Sequence, residues 1–139
     1  MNYVWLFLTA LFTMFIFYNS SMPGTESGHL SALAAGFVVH VADFLQVSLS
    51  GDMEHILRKL AHFLEFACLS WLVCKTYSSF GVSDRASNGY ILFFCLLVAV
   101  VDEYIQLFSH GRTSMVKDVL LDFSGAFCMW LFYKIYQWR

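Results

Sequence analysis

Charge is scarce in this chain: Asp, Glu, Lys and Arg make up 13% of its 139 residues, about half the share in an ordinary soluble domain. Proline occurs once, and no Gly/Ser-rich, repetitive or low-complexity stretch marks a linker, so 1–139 reads as one domain. There is no glycine-rich phosphate loop, no basic patch suited to nucleic acid and no thiol redox pair. Their absence argues against nucleotide hydrolysis, nucleic-acid binding and disulfide exchange. Four cysteines, Cys68, Cys74, Cys95 and Cys128, sit singly inside apolar runs as small apolar fillers, with neither metal spacing nor a disulfide pattern. His29, His40, His55 and His110 are scattered through polar stretches and form no HxH or HxxxH pair. We read these four as surface or interfacial residues, and local spacing calls for no metal and no cofactor.

What is abundant is apolar surface, with 59% hydrophobic and 19% aromatic residues. Four apolar runs, Tyr3–Tyr18, Leu60–Tyr77, Tyr90–Phe108 and Val119–Trp138, each approach the ~20 residues that cross a bilayer. The expected fold is therefore all-α, an integral membrane bundle of four helices. The first run lacks a preceding basic residue and a following small-x-small cleavage site, so we expect a retained helix rather than a secretory signal. Tyr3, Trp5, Tyr18, Tyr77, Tyr90, Tyr136 and Trp138 stand near run ends, as interfacial anchors do. Leu30–Leu49 places apolar residues at helical spacing but is broken by Gly36, His40, Asp43 and Gln46. That pattern predicts an interfacial or re-entrant amphipathic helix between the first two spans.

Four crossings put both termini and the loop near Thr76–Asn88 on one side, and the stretches 19–58 and 109–117 on the other. Of the ten acidic residues only Asp84 belongs to the first side, and all five histidines belong in or beside the second. Lysines and arginines divide evenly: Lys75, Arg85, Lys134 and Arg139 against Arg58, Lys59, Arg112 and Lys117. The positive-inside rule alone decides nothing here. Lys59 and Arg112 stand close to intramembrane acids that need partners, whereas the first group has almost none to pair with. Cytoplasmic termini and an outward-facing polar side follow.

Ionisable residues inside apolar spans cost roughly 2.5–3.5 kcal/mol each at a helix centre, so they persist with a partner or a function. Here they fall at helical spacing. Arg58, Lys59, His62 and Glu65 occupy about a third of one helix circumference, joined by Phe66. Asp102, Glu103 and Gln106 form a similar arc, followed by Phe108, Gly111 and Arg112 in the connecting loop. Asp118 and Asp122 are one turn apart, and Gly125, one turn further on, offers a place for a neighbouring helix to come close. Three stripes at one depth should face each other and build a conical, outward-facing polar pocket. Its lining is Lys59, His62, Glu65, Asp102, Glu103, Gln106, Arg112, Asp118 and Asp122. Arg112 can hold a carboxylate or phosphate through two parallel hydrogen bonds. His62 can relay a proton or simply donate a hydrogen bond. The plain alternative is a set of interhelical ion pairs that fixes helix order and takes no ligand.

The runs Lys59-Leu60-Ala61-His62-Phe63-Leu64-Glu65-Phe66, Asp102-Glu103-Tyr104-Ile105-Gln106-Leu107-Phe108-Ser109-His110-Gly111-Arg112 and Asp118-Val119-Leu120-Leu121-Asp122-Phe123-Ser124-Gly125 closely resemble the three signature segments of VanZ-like membrane proteins. Their order and separations match as well. Ser20-Ser21-Met22-Pro23 resembles the serine-proline turn that follows the first span in that family. Asp122 is a mild departure, since many members carry asparagine there, and it leaves one more acid to pair or protonate. The resemblance implies a bacterial plasma-membrane protein, of a family named for a gene associated with low-level resistance to the glycopeptide teicoplanin.

Three functions from different classes remain open on the sequence. One is a non-enzymatic envelope protein that binds a lipid-linked wall precursor or another membrane lipid, with Arg112 and Lys59 on its anionic group and the acids orienting them, thereby altering glycopeptide access. Another is a membrane-embedded enzyme with His62 or Glu65 as acid or base, and Asp102, Glu103 and Asp118 holding Mg²⁺ or Ca²⁺. No nucleophile or phosphatase-like motif supports the enzyme, which places it second. The last is a proton-coupled transporter, for which the chain is short and shows no inverted repeat.

Overall fold

In a computed structural model, residues 3–22, 51–82, 85–109 and 114–137 are described, without the side chains of 51–55, 57, 85 and 86. They form four helices: α1 (Tyr3–Ser21), α2 (Gly51–Ser79), α3 (Arg85–Gln106) and α4 (Val116–Gln137). The predicted amphipathic segment Leu30–Leu49, and with it His29, His40 and Pro23, lies outside the described residues.

Helix direction alternates. Tyr3 stacks edge-on against Phe80, and Trp5 against Trp71, so α1 and α2 are antiparallel. Ser20 at the end of α1 meets Asp102 and Ser109 at the end of α3. Lys59 meets Asp118, and the Lys75 ammonium lies over the Tyr133 ring, so α2 and α4 run the same way. In section the helices make a rhombus: α2 and α3 each touch the other three, whereas α1 and α4 do not meet among the described residues. The broadest interface joins α2 to α4.

The bundle is apolar outside and partly polar inside. Large side chains such as Phe7, Met14, Phe93, Leu120 and Phe132 are exposed, while Thr9, Ser20, Ser70, Thr76, Asp102, Glu103, Gln106 and Asp122 are buried. An exterior of this kind suits lipid, where helices associate through close packing and interhelical hydrogen bonds rather than hydrophobic exclusion. The core is built from Ile16, Phe66, Leu69, Val73, Ile91, Val98 and Ala126 with the thiols Cys74 and Cys95, and all four cysteines are free.

Among the described residues α1, the stretch Ser87–Gln106 of α3, and α4 are long and apolar enough to cross a membrane. The sequence suggested a fourth crossing at 60–77. There α2 is longer, starting at Gly51, and more polar than the other three. It nevertheless covers the height of the bundle, from the Asp118 end of α4 to the Tyr3 end of α1. Its polar stripe explains both facts, because an inner helix can turn Lys59, His62 and Glu65 toward its neighbours.

The helix ends follow from local chemistry. After Ser79 the chain closes a Schellman motif: Val82 N–H donates to Tyr77 C=O at 3.1 Å, Gly81 N–H donates to Ser78 C=O at 3.1 Å, and Gly81 has φ +71°. Met115 caps the start of α4, its carbonyl accepting from Asp118 N–H at 2.9 Å, and Asp118 lies in the first turn, where the helix dipole favours an acid.

Candidate functional site

Polar side chains from all four helices gather at the end of the bundle formed by the close of α1 and α3 and the start of α4. Their meeting depends first on Gly125. A Cβ built there would press on the Phe63 carbonyl oxygen and lie 2.9 Å from its carbon and 3.1 Å from its Cα, so α2 and α4 are in backbone contact. No side chain fits between them. Phe63 is the neighbour of His62, and Gly125 is one turn beyond Asp122, so the contact that needs glycine also sets the imidazole beside the aspartate.

Asp102 is fully buried on α3. Ser20 Oγ donates to its Oδ1, and Gln106 Nε2, one turn along the same helix, donates to its Oδ2 at 2.8 Å. Ser109 Oγ donates to the Ser20 carbonyl at 2.8 Å and ties the end of α1 to the turn after α3. Glu103, also buried, accepts the Met115 N–H at 3.2 Å through Oε2. It thus serves α4 from outside as a capping-box glutamate serves its own helix. Asp118 is engaged elsewhere, 3.0 Å from Lys59 Nζ in an ion pair that keeps partial contact with solvent.

On α2 the stripe passes inward from exposed Arg58 through half-buried Lys59, His62 and Glu65 to fully buried Phe66. His62 Nδ1 lies 3.8 Å from Glu65 Oε2. His62, Asp102 and Asp122, from three different helices, each bring one ligand-type atom to within 4.8 Å of the others. Asp122 is 1% exposed, and its Oδ2 has no hydrogen-bond partner among the described residues. The opposite end of the bundle is chemically different. There Lys75 sits 5.7–6.0 Å from the ring centres of Trp5, Trp71 and Tyr133, and the Thr9 and Thr76 hydroxyls lie 2.9 Å apart.

Of the residues singled out in the sequence, Lys59, His62, Glu65, Asp102, Glu103, Gln106, Asp118 and Asp122 thus stand at one end of the bundle, and Gly125 at the tightest contact there. Gly111, Arg112 and His110 lie outside the described residues, as does the His55 side chain, and Phe108 is on the surface. The grouping Asp102, Glu103 and Asp118 proposed from sequence for a divalent ion is not the one that converges. Glu103 caps α4 and Asp118 pairs with Lys59, while His62 and Asp122 take the places beside Asp102. Nor did local spacing single out Ser20 as a donor to Asp102, beyond marking the turn that contains it.

Chemically, the cluster offers one imidazole and several carboxylates in a partly dehydrated setting. Such a set can coordinate a cation, pass a proton or orient a polar head group. No curated protein and no solved structure gives a significant match to this chain. The family model VanZ/LLP1 matches residues 5–137, which takes in all four helices and the whole polar cluster. The chain therefore belongs to the VanZ/LLP1 family.

Proposed function

We propose that this chain is a bacterial plasma-membrane protein with cytoplasmic termini, and that its polar end opens outward as a pocket for the anionic head of a lipid-linked wall precursor. Engaging that head changes how easily a glycopeptide such as teicoplanin reaches its target. The observation that carries this reading is the concentration of ionisable side chains at one end of a bundle with an apolar exterior. Arrangements of that kind are costly in lipid and are ordinarily retained for a ligand or an ion. Bundle cohesion alone would be met by small residues and close packing, as Gly125 already does. Lys59 and, from its position in the sequence after α3, Arg112 supply the positive charge for the head group, and the surrounding acids orient them.

The test is retention of lipid-linked wall precursor by the full chain in nanodiscs. Wild-type protein should retain it and Arg112→Ala should lose it; equal retention would remove the pocket from consideration. In cells, deletion should alter precursor pools and glycopeptide sensitivity, and complementation with Arg112→Ala should fail to restore them.

A further inference from the structure

We propose that His62, Asp102 and Asp122 form a divalent-cation site inside the bundle. Their donor atoms all lie within 4.8 Å of one another. A cation with bonds of about 2.0–2.2 Å places neighbouring donors about 3–3.5 Å apart, so closure draws the three side chains inward. Proximity is not the sole ground. Asp122 is 1% exposed and its Oδ2 meets no hydrogen-bond donor among the described residues, a costly state for a carboxylate oxygen beside a second buried aspartate. A dication satisfies that oxygen.

The surroundings have the form of an outer ligand shell. Ser20 Oγ and Gln106 Nε2 donate to the two oxygens of Asp102, as outer donors hold a ligand carboxylate in place. Glu65 Oε2 lies 3.8 Å from His62 Nδ1, beyond hydrogen-bond distance but on the same face of α2. The Gly125–Phe63 backbone contact fixes the spacing of α2 and α4 and so of His62 and Asp122. One imidazole nitrogen and two carboxylates favour Mn²⁺ or Zn²⁺ over Ca²⁺ and Mg²⁺, which prefer oxygen throughout. Three protein ligands leave coordination positions for water or a phosphate oxygen. That last clause rests on the lipid reading above; the cation site itself does not.

The test uses the full chain, stripped with chelator, in phosphatidylcholine nanodiscs and titrated with Mn²⁺ alone, free Mn²⁺ being read by electron paramagnetic resonance. Wild type should bind one Mn²⁺ per chain saturably, with Zn²⁺ competing. Asp122→Asn should weaken binding by more than about 10-fold, and Ser20→Ala, which touches only the outer shell, by about 10-fold or more. Thr9→Val, at the far end of the bundle, should bind as wild type does. Helical circular dichroism confirms that each variant is folded, and Ser20→Ala keeps the test decisive if Asp122→Asn is not. Absence of saturable binding in the wild type, or equal affinity in folded Asp122→Asn, overturns the site. Adding a polyprenyl diphosphate should then give ³¹P coupling to the bound Mn²⁺. Bound Mn²⁺ without that coupling leaves the cation site standing and removes the lipid reading instead.

Discussion

Replacing Gly125 with alanine sets two well-defined effects against each other. In a helix interior alanine is favoured over glycine by about 0.8–1.0 kcal/mol, so an exposed Gly125 would be improved by the change. In the bundle the new methyl meets main chain and not a movable side-chain tip: the Phe63 carbonyl oxygen in hard contact, its carbon at 2.9 Å and its Cα at 3.1 Å. Ordinary contact begins near 3.4 Å, so clearing the carbonyl oxygen requires α2 and α4 to move apart by about an ångström or more along their broadest interface. Overpacking of a close-packed site costs about 1–3 kcal/mol, and a backbone clash belongs at the upper end. The net expectation is destabilisation by roughly 2 kcal/mol once the helix-propensity gain is subtracted. Unfolding by titration with a denaturing detergent measures it, and Mn²⁺ affinity should fall in parallel as His62 and Asp122 separate. Truncating Phe63 to alanine in the same chain should not rescue stability, because the obstacle is its carbonyl. A Gly125→Ala protein more stable than wild type, or one restored by Phe63→Ala, would refute the backbone contact and the positioning built on it.

Gly81→Ala should destabilise the end of α2 by about 1–2 kcal/mol, because φ +71° sets its Cβ against the following carbonyl, and Gly81→Asn should cost less; equal stabilities in thermal unfolding would contradict the Schellman closure. A double-mutant cycle of Lys59→Met and Asp118→Asn should give a coupling of about 0.2–1 kcal/mol that falls with salt, since the Lys59 side chain is 39% exposed. A salt-independent coupling several times larger would mean that the pair is sealed from water. The same cycle with Thr9→Val and Thr76→Val should give about 0.6 kcal/mol, the usual scale for an interhelical hydroxyl bond in a membrane bundle, and no measurable coupling would remove that link between α1 and α2.

Much of this architecture is legible in the sequence because lipid makes strict demands. Apolar runs of crossing length located all four helices, and Gly125 stood out because it continues the stripe of Asp118 and Asp122 at helical spacing. Stripe periodicity alone also gathers Lys59, His62, Glu65, Asp102, Glu103 and Gln106. The start of α2 was harder, since its first turns carry Asp52, Glu54 and His55 and continue a helix whose polarity conceals it from an apolar window. Partner choice was harder still. Spacing identifies which face of a helix a residue occupies, but rotation and depth between helices decide that Asp118 takes Lys59, that Glu103 caps α4 and that Asp122 stands beside His62. No fixed separation along the chain encodes a triad drawn from three helices. Its only local signal was the surplus acid at Asp122.

Solid-state nuclear magnetic resonance on the full chain in lipid, with ¹⁵N-histidine and ¹³C-aspartate labels, tests the convergence of these helices most directly. A dipolar contact is expected between the His62 imidazole and the Asp122 carboxyl, whose ligand atoms lie within 4.8 Å, with loss of that contact in His62→Gln. A carboxyl signal from Asp122 that shows no coupling to any histidine nitrogen would place α2 and α4 in a different rotation and contradict the site.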